Sequence, residues 1–140
     1  MYSTILAATD GSEPARRAVR AAVELAAEHD ATLHLLAVVD ERVCCTPALG
    51  TAELSTAEAA DRFEQALREG REVAEASGVG VETTLAFGDP VEEIQAHAAA
   101  LDADLVVLGE HGDHRGRVGG VGRQVVAEST RSVQIVEAAG

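Results

Sequence analysis

Lysine is absent from this sequence, and so is tryptophan. All 11 basic side chains are arginine, set against 24 Asp and Glu, for a formal net charge of −13. So negative a surface repels phosphate backbones and anionic lipid, which argues against non-specific binding to nucleic acid or to a membrane. Aromatic residues are almost missing as well: Tyr2, Phe63 and Phe87 are the whole set. They leave little material for a stacking platform that holds single-stranded nucleic acid. The core must therefore be made of Ala, Val, Leu and Ile. Cysteine is limited to the adjacent pair Cys44 and Cys45, which has neither metal-ligand spacing nor the look of a disulfide framework. Two free thiols are expected there, either a redox sensor or two small residues of a loop. No apolar run approaches the ~20 residues of a membrane span. Met1-Tyr2-Ser3-Thr4 lacks a basic region followed by an apolar stretch, so no export signal is expected and the expected location is the cytoplasm.

The missing lysine has two readings. An acidic chain without it suits a cell with concentrated cytoplasmic salt, where screening removes self-repulsion. A GC-rich genome that encodes Arg in place of Lys gives the same composition.

The sequence has 140 residues, 46% of them hydrophobic, which suits one domain over residues 1–140. A domain of that size buries roughly two-thirds of the surface its unfolded chain would expose. Thr4 to Thr9 reads as a buried strand running into the turn Asp10-Gly11-Ser12. Ser12 is a candidate cap for the helix that follows, with Pro14 in its first turn. Ala15, Ala18, Val19, Ala22, Val23 and Ala26 recur at helical spacing up to His29. Thr32 to Val39 is a second apolar strand, followed by an irregular stretch from Asp40 to about Ser55. A long amphipathic helix comes next, with Ala59, Phe63, Ala66, Leu67, Val73 and Ala74 on one face and Gly70 interrupting it at modest cost. Gly78-Val79-Gly80 ends it, and Val81 to Ala86 makes a third strand. Phe87-Gly88-Asp89-Pro90 opens a third helix whose apolar face is Val91, Ile94, Ala98 and Leu101. Leu105 to Leu108 is a fourth strand. It runs into a glycine-rich loop from Gly109 to Gly122, a short helix to about Arg131, and a last strand from Val133 to Val136.

Strands alternating with helices predict an α/β fold, a doubly wound, five-stranded parallel sheet with helices on both faces, and the expected strand order is 3-2-1-4-5. In such sheets ligands bind beyond the carboxyl ends of the strands, where the order reverses. That point lies between the first strand, ending in Ala8-Thr9-Asp10, and the fourth, ending in Leu108-Gly109. Between Gly109 and Arg123 there are six glycines, which let the backbone turn amides inward. No Arg occurs in the 43 residues from Glu72 to His114, and then Arg115, Arg117 and Arg123 arrive within nine. This is a candidate anion site, the bland alternative being a surface loop with solubilising arginines. His111, Asp113 and His114 adjoin but sit on that loop with no fixed helical face, so no metal site is expected. His29, His34 and His97 are isolated and read as structural or solvent-facing. No His has a sequence context that suggests a nucleophilic triad, and the loop is not a Walker motif, since its final Gly-Lys-Ser/Thr is absent.

Gly109-x2-Gly112-x9-Gly122 is similar to the nucleotide-binding loop of the universal stress protein family, Gly-x2-Gly-x9-Gly-Ser/Thr. Thr9-Asp10-Gly11-Ser12 resembles the family's first-strand ending, and Val38-Val39-Asp40 its second. Gly88-Asp89-Pro90 with Ile94 and Ala103-Asp104-Leu105 resembles the segment before its fourth strand. The likeness covers nearly the whole chain. It implies that ATP or AMP is bound, with Mg as a candidate companion of ATP. Asp10, with Ala8 and Thr9, would lie beside ribose and adenine, and the Val38 backbone would meet the adenine edge. Gly109, His111, Gly112, Arg115, Gly122, Arg123 and Gln124 would surround the phosphates. The chain departs from the family at Arg123, where a Ser or Thr hydroxyl is usual. A guanidinium either binds phosphate bidentately in the hydroxyl's place or fills the pocket and abolishes binding. The segment Gln124 to Arg131 is also shorter than usual and lacks the Pro common before the last strand.

The expected function is a small nucleotide-binding regulatory module of the stress response, not an enzyme, with at most slow ATP hydrolysis. The alternative is a nucleotide-free dimeric interaction protein of the same fold, its site closed by Arg123 and without a cofactor. An adenylating ligase would need a pyrophosphate loop after the first strand, and Asp10-Gly11-Ser12-Glu13-Pro14 is too short and too poor in glycine for one. The expected partner is a second copy, paired through the strand Val133 to Val136, as family members commonly are. The charge imbalance leads to one expectation about stability. The Debye length falls from about 30 Å at 0.01 M salt to about 3 Å at 1 M, so added salt should raise the melting temperature. A melting temperature that stays flat across that range would remove the high-salt reading and leave genome composition.

Overall fold

Alternating burial on two faces organises the chain. The computed structural model describes residues 2–40, 56–110 and 132–137. Within them the order is β1 (Thr4–Ala8), α1 (Glu13–His29), β2 (Thr32–Val39), α2 (Thr56–Ala76), β3 (Val81–Phe87), α3 (Pro90–Leu101), β4 (Leu105–Glu110) and β5 (Ser132–Glu137). All strands are parallel and the sheet order is β3-β2-β1-β4-β5, as the sequence predicts. β1 pairs with β2 from Thr4 opposite Thr32 to Ala8 opposite Leu36. On its other edge it pairs with β4, Ile5 opposite Leu105 and Ala7 opposite Val107.

Successive side chains of a strand face opposite sides of a sheet, and each side here has its own core. Ile5, Ala7, Leu33, Leu35 and Val107 face α1 and α2, where Ala18, Ala22, Ala26, Leu67 and Ala74 meet them. Leu6, Leu36, Val106 and Leu108 face α3, where Val91, Ile94 and Ala98 meet them. No helix among the described residues is long and apolar enough to cross a membrane.

The helix ends follow from local hydrogen bonding. Ser12 Oγ accepts the Ala15 amide at 3.3 Å, and Asp89 Oδ1 accepts the Glu92 amide at 3.1 Å, with Pro14 and Pro90 in the first turns. Both helices stop on an aspartate in the left-handed region, Asp30 at φ 55° and Asp102 at φ 53°. Glycine is the usual residue there, and a short polar side chain is the tolerated substitute. At the amino-terminal end of the sheet, Asp104 Oδ2 accepts the amides of Ser3 at 2.7 Å and Thr4 at 2.9 Å. The Asp104 amide in turn donates to Thr4 O at 2.8 Å. Tyr2 and His29 pack edge to face nearby, ring centroids 4.8 Å apart. His97 Nδ1 lies 2.8 Å from Glu93 O on its own helix.

The structure differs from the sequence reading in several details, and β5 is one residue longer at each end than Val133 to Val136. β3 runs through Phe87, whose neighbour Gly88 still donates to Val39 O at 3.0 Å. β4 runs through Gly109 and Glu110, because pairing with β5 continues to Glu137. Val73, expected on the apolar face of α2, is 37% exposed. Burial on that helix follows Ala59, Ala66, Leu67, Gly70 and Ala74, which leaves Val73 on the flank. Gly70 is a contact residue as well as an interruption: a Cβ there would lie 2.7 Å from Leu35 Cδ1. The stretch 41–55 with Cys44 and Cys45, most of the glycine-rich loop and the helix expected before Arg131 lie outside the described residues.

Candidate functional site

The strand order reverses at β1, so the carboxyl ends of β1 and β4 border one crevice. β1 delivers Thr9 and Asp10 to it, and β4 delivers Gly109 and Glu110. Ala8, Val38 and Ala86 share the α3 side of the sheet at this edge, all three packed on that core. Thr9 points the other way. It is 6% exposed, and its amide donates to Leu36 O at 2.9 Å, carrying the β1–β2 ladder one residue further.

The turn from β1 into α1 uses its own side chains to bind its own amides. Thr9 Oγ1 accepts from Gly11 N at 3.2 Å, and Asp10 Oδ1 accepts from Ser12 N at 2.9 Å. Ser12 then takes two more, the Ala15 amide on Oγ and the Arg16 amide on its carbonyl at 2.9 Å. A helix amino terminus is an anion site when its amides point outward without partners. At α1 those of Gly11, Ser12, Ala15 and Arg16 already have partners. A phosphate-binding role for this turn, as an adenylating ligase would need, is therefore poorly supplied with donors.

Gly109 lies in β4 opposite Val136 of β5. A Cβ on it would fall 2.5 Å from Pro14 O, so the first turn of α1 rests directly on this strand end. The carboxyl edge of the sheet thus carries Ala8, Thr9, Asp10, Val38 and Gly109 from the sequence reading, but Thr9 lies on the α1–α2 side, away from Ala8 and Val38. His111, Gly112, Arg115, Gly122, Arg123 and Gln124 lie outside the described residues, as do Asp113 and His114. Among the described residues no group of three His, Cys, Asp or Glu could hold a metal ion.

In the sequence Phe87 reads as one of three aromatics and as part of a turn. It is 47% exposed at the end of β3, in register with Val39, so an aromatic surface stands at this same edge. The available signal was an aromatic residue just before a Gly-Asp-Pro turn in a chain with three aromatics in all. A separate groove of about 560 Å³ opens between α1 and α2, lined in part by Thr9, Arg16, Arg20, Glu69 and Val73. Arg16 and Glu69 bridge across it at 3.3 Å. It lies on the face opposite Ala8 and Val38.

Comparison with known proteins agrees with this architecture. Residues 1–137 match the universal stress protein family. A universal stress protein of Methanocaldococcus jannaschii is 31% identical over 98% of this chain and 83% of its own length. Among solved structures, the universal stress protein UspA of Lactobacillus plantarum is 33% identical, with a TM-score of 0.76 over 96% of this chain and 97% of that one. Another, a universal stress protein solved in complex with cAMP, is 28% identical, with a TM-score of 0.78 over 99% of both chains. On the sheet order, the strand-end residues and these matches together, the chain belongs to the universal stress protein family.

Proposed function

We propose that the protein is a nucleotide-binding regulatory module of the stress response, acting in the cytoplasm without catalysis beyond slow ATP hydrolysis. The observation that carries the reading is the parallel pairing of β1 with β4, which sets Asp10 and Gly109 at one crevice at the reversal of strand order. A relative solved with cAMP, 28% identical along 99% of the chain, supports a nucleotide as the ligand. The chemistry of the edge suits such a ligand. Ala8 and Val38 offer a small apolar surface for a flat base, and Asp10 stands beside them for ribose. With the Gly11, Ser12, Ala15 and Arg16 amides already bonded, the reading gives phosphate recognition to the segment after β4. There Gly109, His111, Gly112, Arg115, Gly122, Arg123 and Gln124 are the assigned residues. ATP or AMP is the proposed ligand, and Mg would accompany ATP.

The second reading, a nucleotide-free interaction protein, rests on Arg123, which stands where the family has a hydroxyl. Calorimetry with ATP separates the two. If Arg123 binds phosphate, Arg123→Ala should weaken binding by about 1.5–3 kcal/mol, the loss of a charged hydrogen bond. If it plugs the site, Arg123→Ser should create or strengthen binding. No change in either variant contradicts both accounts.

Both readings include a homodimer through β5. That strand lies at the sheet edge beside β4, and an edge carries unpaired backbone donors and acceptors that are usually covered or paired. Antiparallel pairing with a second copy across a two-fold axis would satisfy them in a closed contact. Light scattering on Ile135→Lys should report a monomer. A wild type already monomeric at high concentration and high salt would refute the dimer.

A further inference from the structure

Gly109 makes a closer backbone approach than a side chain would allow. A Cβ on it would lie 2.5 Å from Pro14 O, 2.6 Å from Pro14 C and 2.8 Å from Ala15 N. All three are main-chain atoms of one peptide, which cannot swing aside as a side-chain tip can. That peptide is held from several directions. The proline ring locks φ at residue 14, the Ala15 amide is bonded to Ser12 Oγ at 3.3 Å, and the Ala15 side chain is 4% exposed. The strand is held too, by pairing of Gly109 with Val136 and by burial of Leu108 to 4%. One partner or the other would have to shift to admit a Cβ, and the hydrogen that stands in for a side chain at Gly109 points at α1.

We propose that Gly109 is a positioning residue: it lets the end of β4 and the first turn of α1 meet at backbone contact, and this contact fixes where the chain leaves the sheet toward residues 111–123. The consequence for ligand binding rests on the nucleotide reading above, whereas the packing itself does not. On this account the first glycine of the motif is required because a helix sits against it. A Cβ there would either push α1 off the sheet or shift the strand exit, and the Asp10 side of the crevice moves with α1.

The test uses the full chain, with and without added ATP. Gly109→Ala should lower the melting temperature without ATP by about 5–10 °C, the effect of overpacking a tight contact in a domain of this size. It should also speed hydrogen exchange at the Ala15 and Arg16 amides without ATP, and weaken ATP binding. Pro14→Gly frees the φ of residue 14, so the double variant Pro14→Gly/Gly109→Ala should lose less stability than the two single losses added together. If Gly109→Ala fails to fold, recovery of folding in the double variant supports the contact, and a double variant that also fails counts against it. A Gly109→Ala protein with wild-type melting and wild-type exchange at Ala15 and Arg16 overturns the proposal, even if ATP affinity falls, because the glycine would then be a ligand contact. A wild type that binds no ATP removes the nucleotide reading, and the melting and exchange results still decide this one.

Discussion

The middle of β1 has no side left open to water. Its two edges are hydrogen-bonded to β2 and β4, and Ile5, Leu6 and Ala7 are at most 1% exposed. A buried backbone group left unpaired costs about 1–3 kcal/mol, so this strand forms only when both neighbours are in place. The order of the sheet then follows. α1 and α2 must cover one face and α3 the other, and the chain leaves β1 and β4 on opposite sides of a single crevice. The candidate site owes its proposed location to this constraint before any ligand is considered.

The scarcity of large side chains shapes the packing around that strand. α1 buries Ala15, Ala18, Ala22 and Ala26 with only Val19 and Val23 as larger neighbours, so the helix lies close to the sheet. Close layers leave little tolerance, and among the described glycines two have no room for a Cβ. Gly70 admits Leu35 beneath α2, and Gly109 admits the first turn of α1 beside β4. A core made this way has shallow side chains, and a displaced backbone has few flexible atoms to absorb the shift. Pressure on α1 therefore reaches the crevice directly.

Much of this was legible in the residues. The apolar runs and the Gly, Pro and Ser punctuation mark the elements, and their alternation implies a parallel sheet with right-handed crossovers. The cap by Ser12 and the turn at Gly88-Asp89-Pro90 could be read locally. Less legible were the left-handed ends at Asp30 and Asp102, since aspartate favours several other local conformations as well. The exposure of Val73 was hidden because its helix carries more apolar residues than its buried stripe can hold. Gly109 read as the first residue of a loop, when pairing with β5 keeps it inside β4. Its steric role depends on Pro14, 95 positions earlier, and no local pattern reports a contact of that separation. Asp104 was noticed only as part of a resemblance, and its two hydrogen bonds to the chain start explain why a carboxylate belongs there.

The account stands or falls on whether the crevice between β1 and β4 holds a nucleotide. The direct measurement is to denature freshly purified protein and analyse the released small molecules by chromatography and mass spectrometry. The account predicts ATP or AMP in a stoichiometry that approaches one per chain. A supernatant free of nucleotide, from protein that also fails to take up added ATP or AMP, would contradict it.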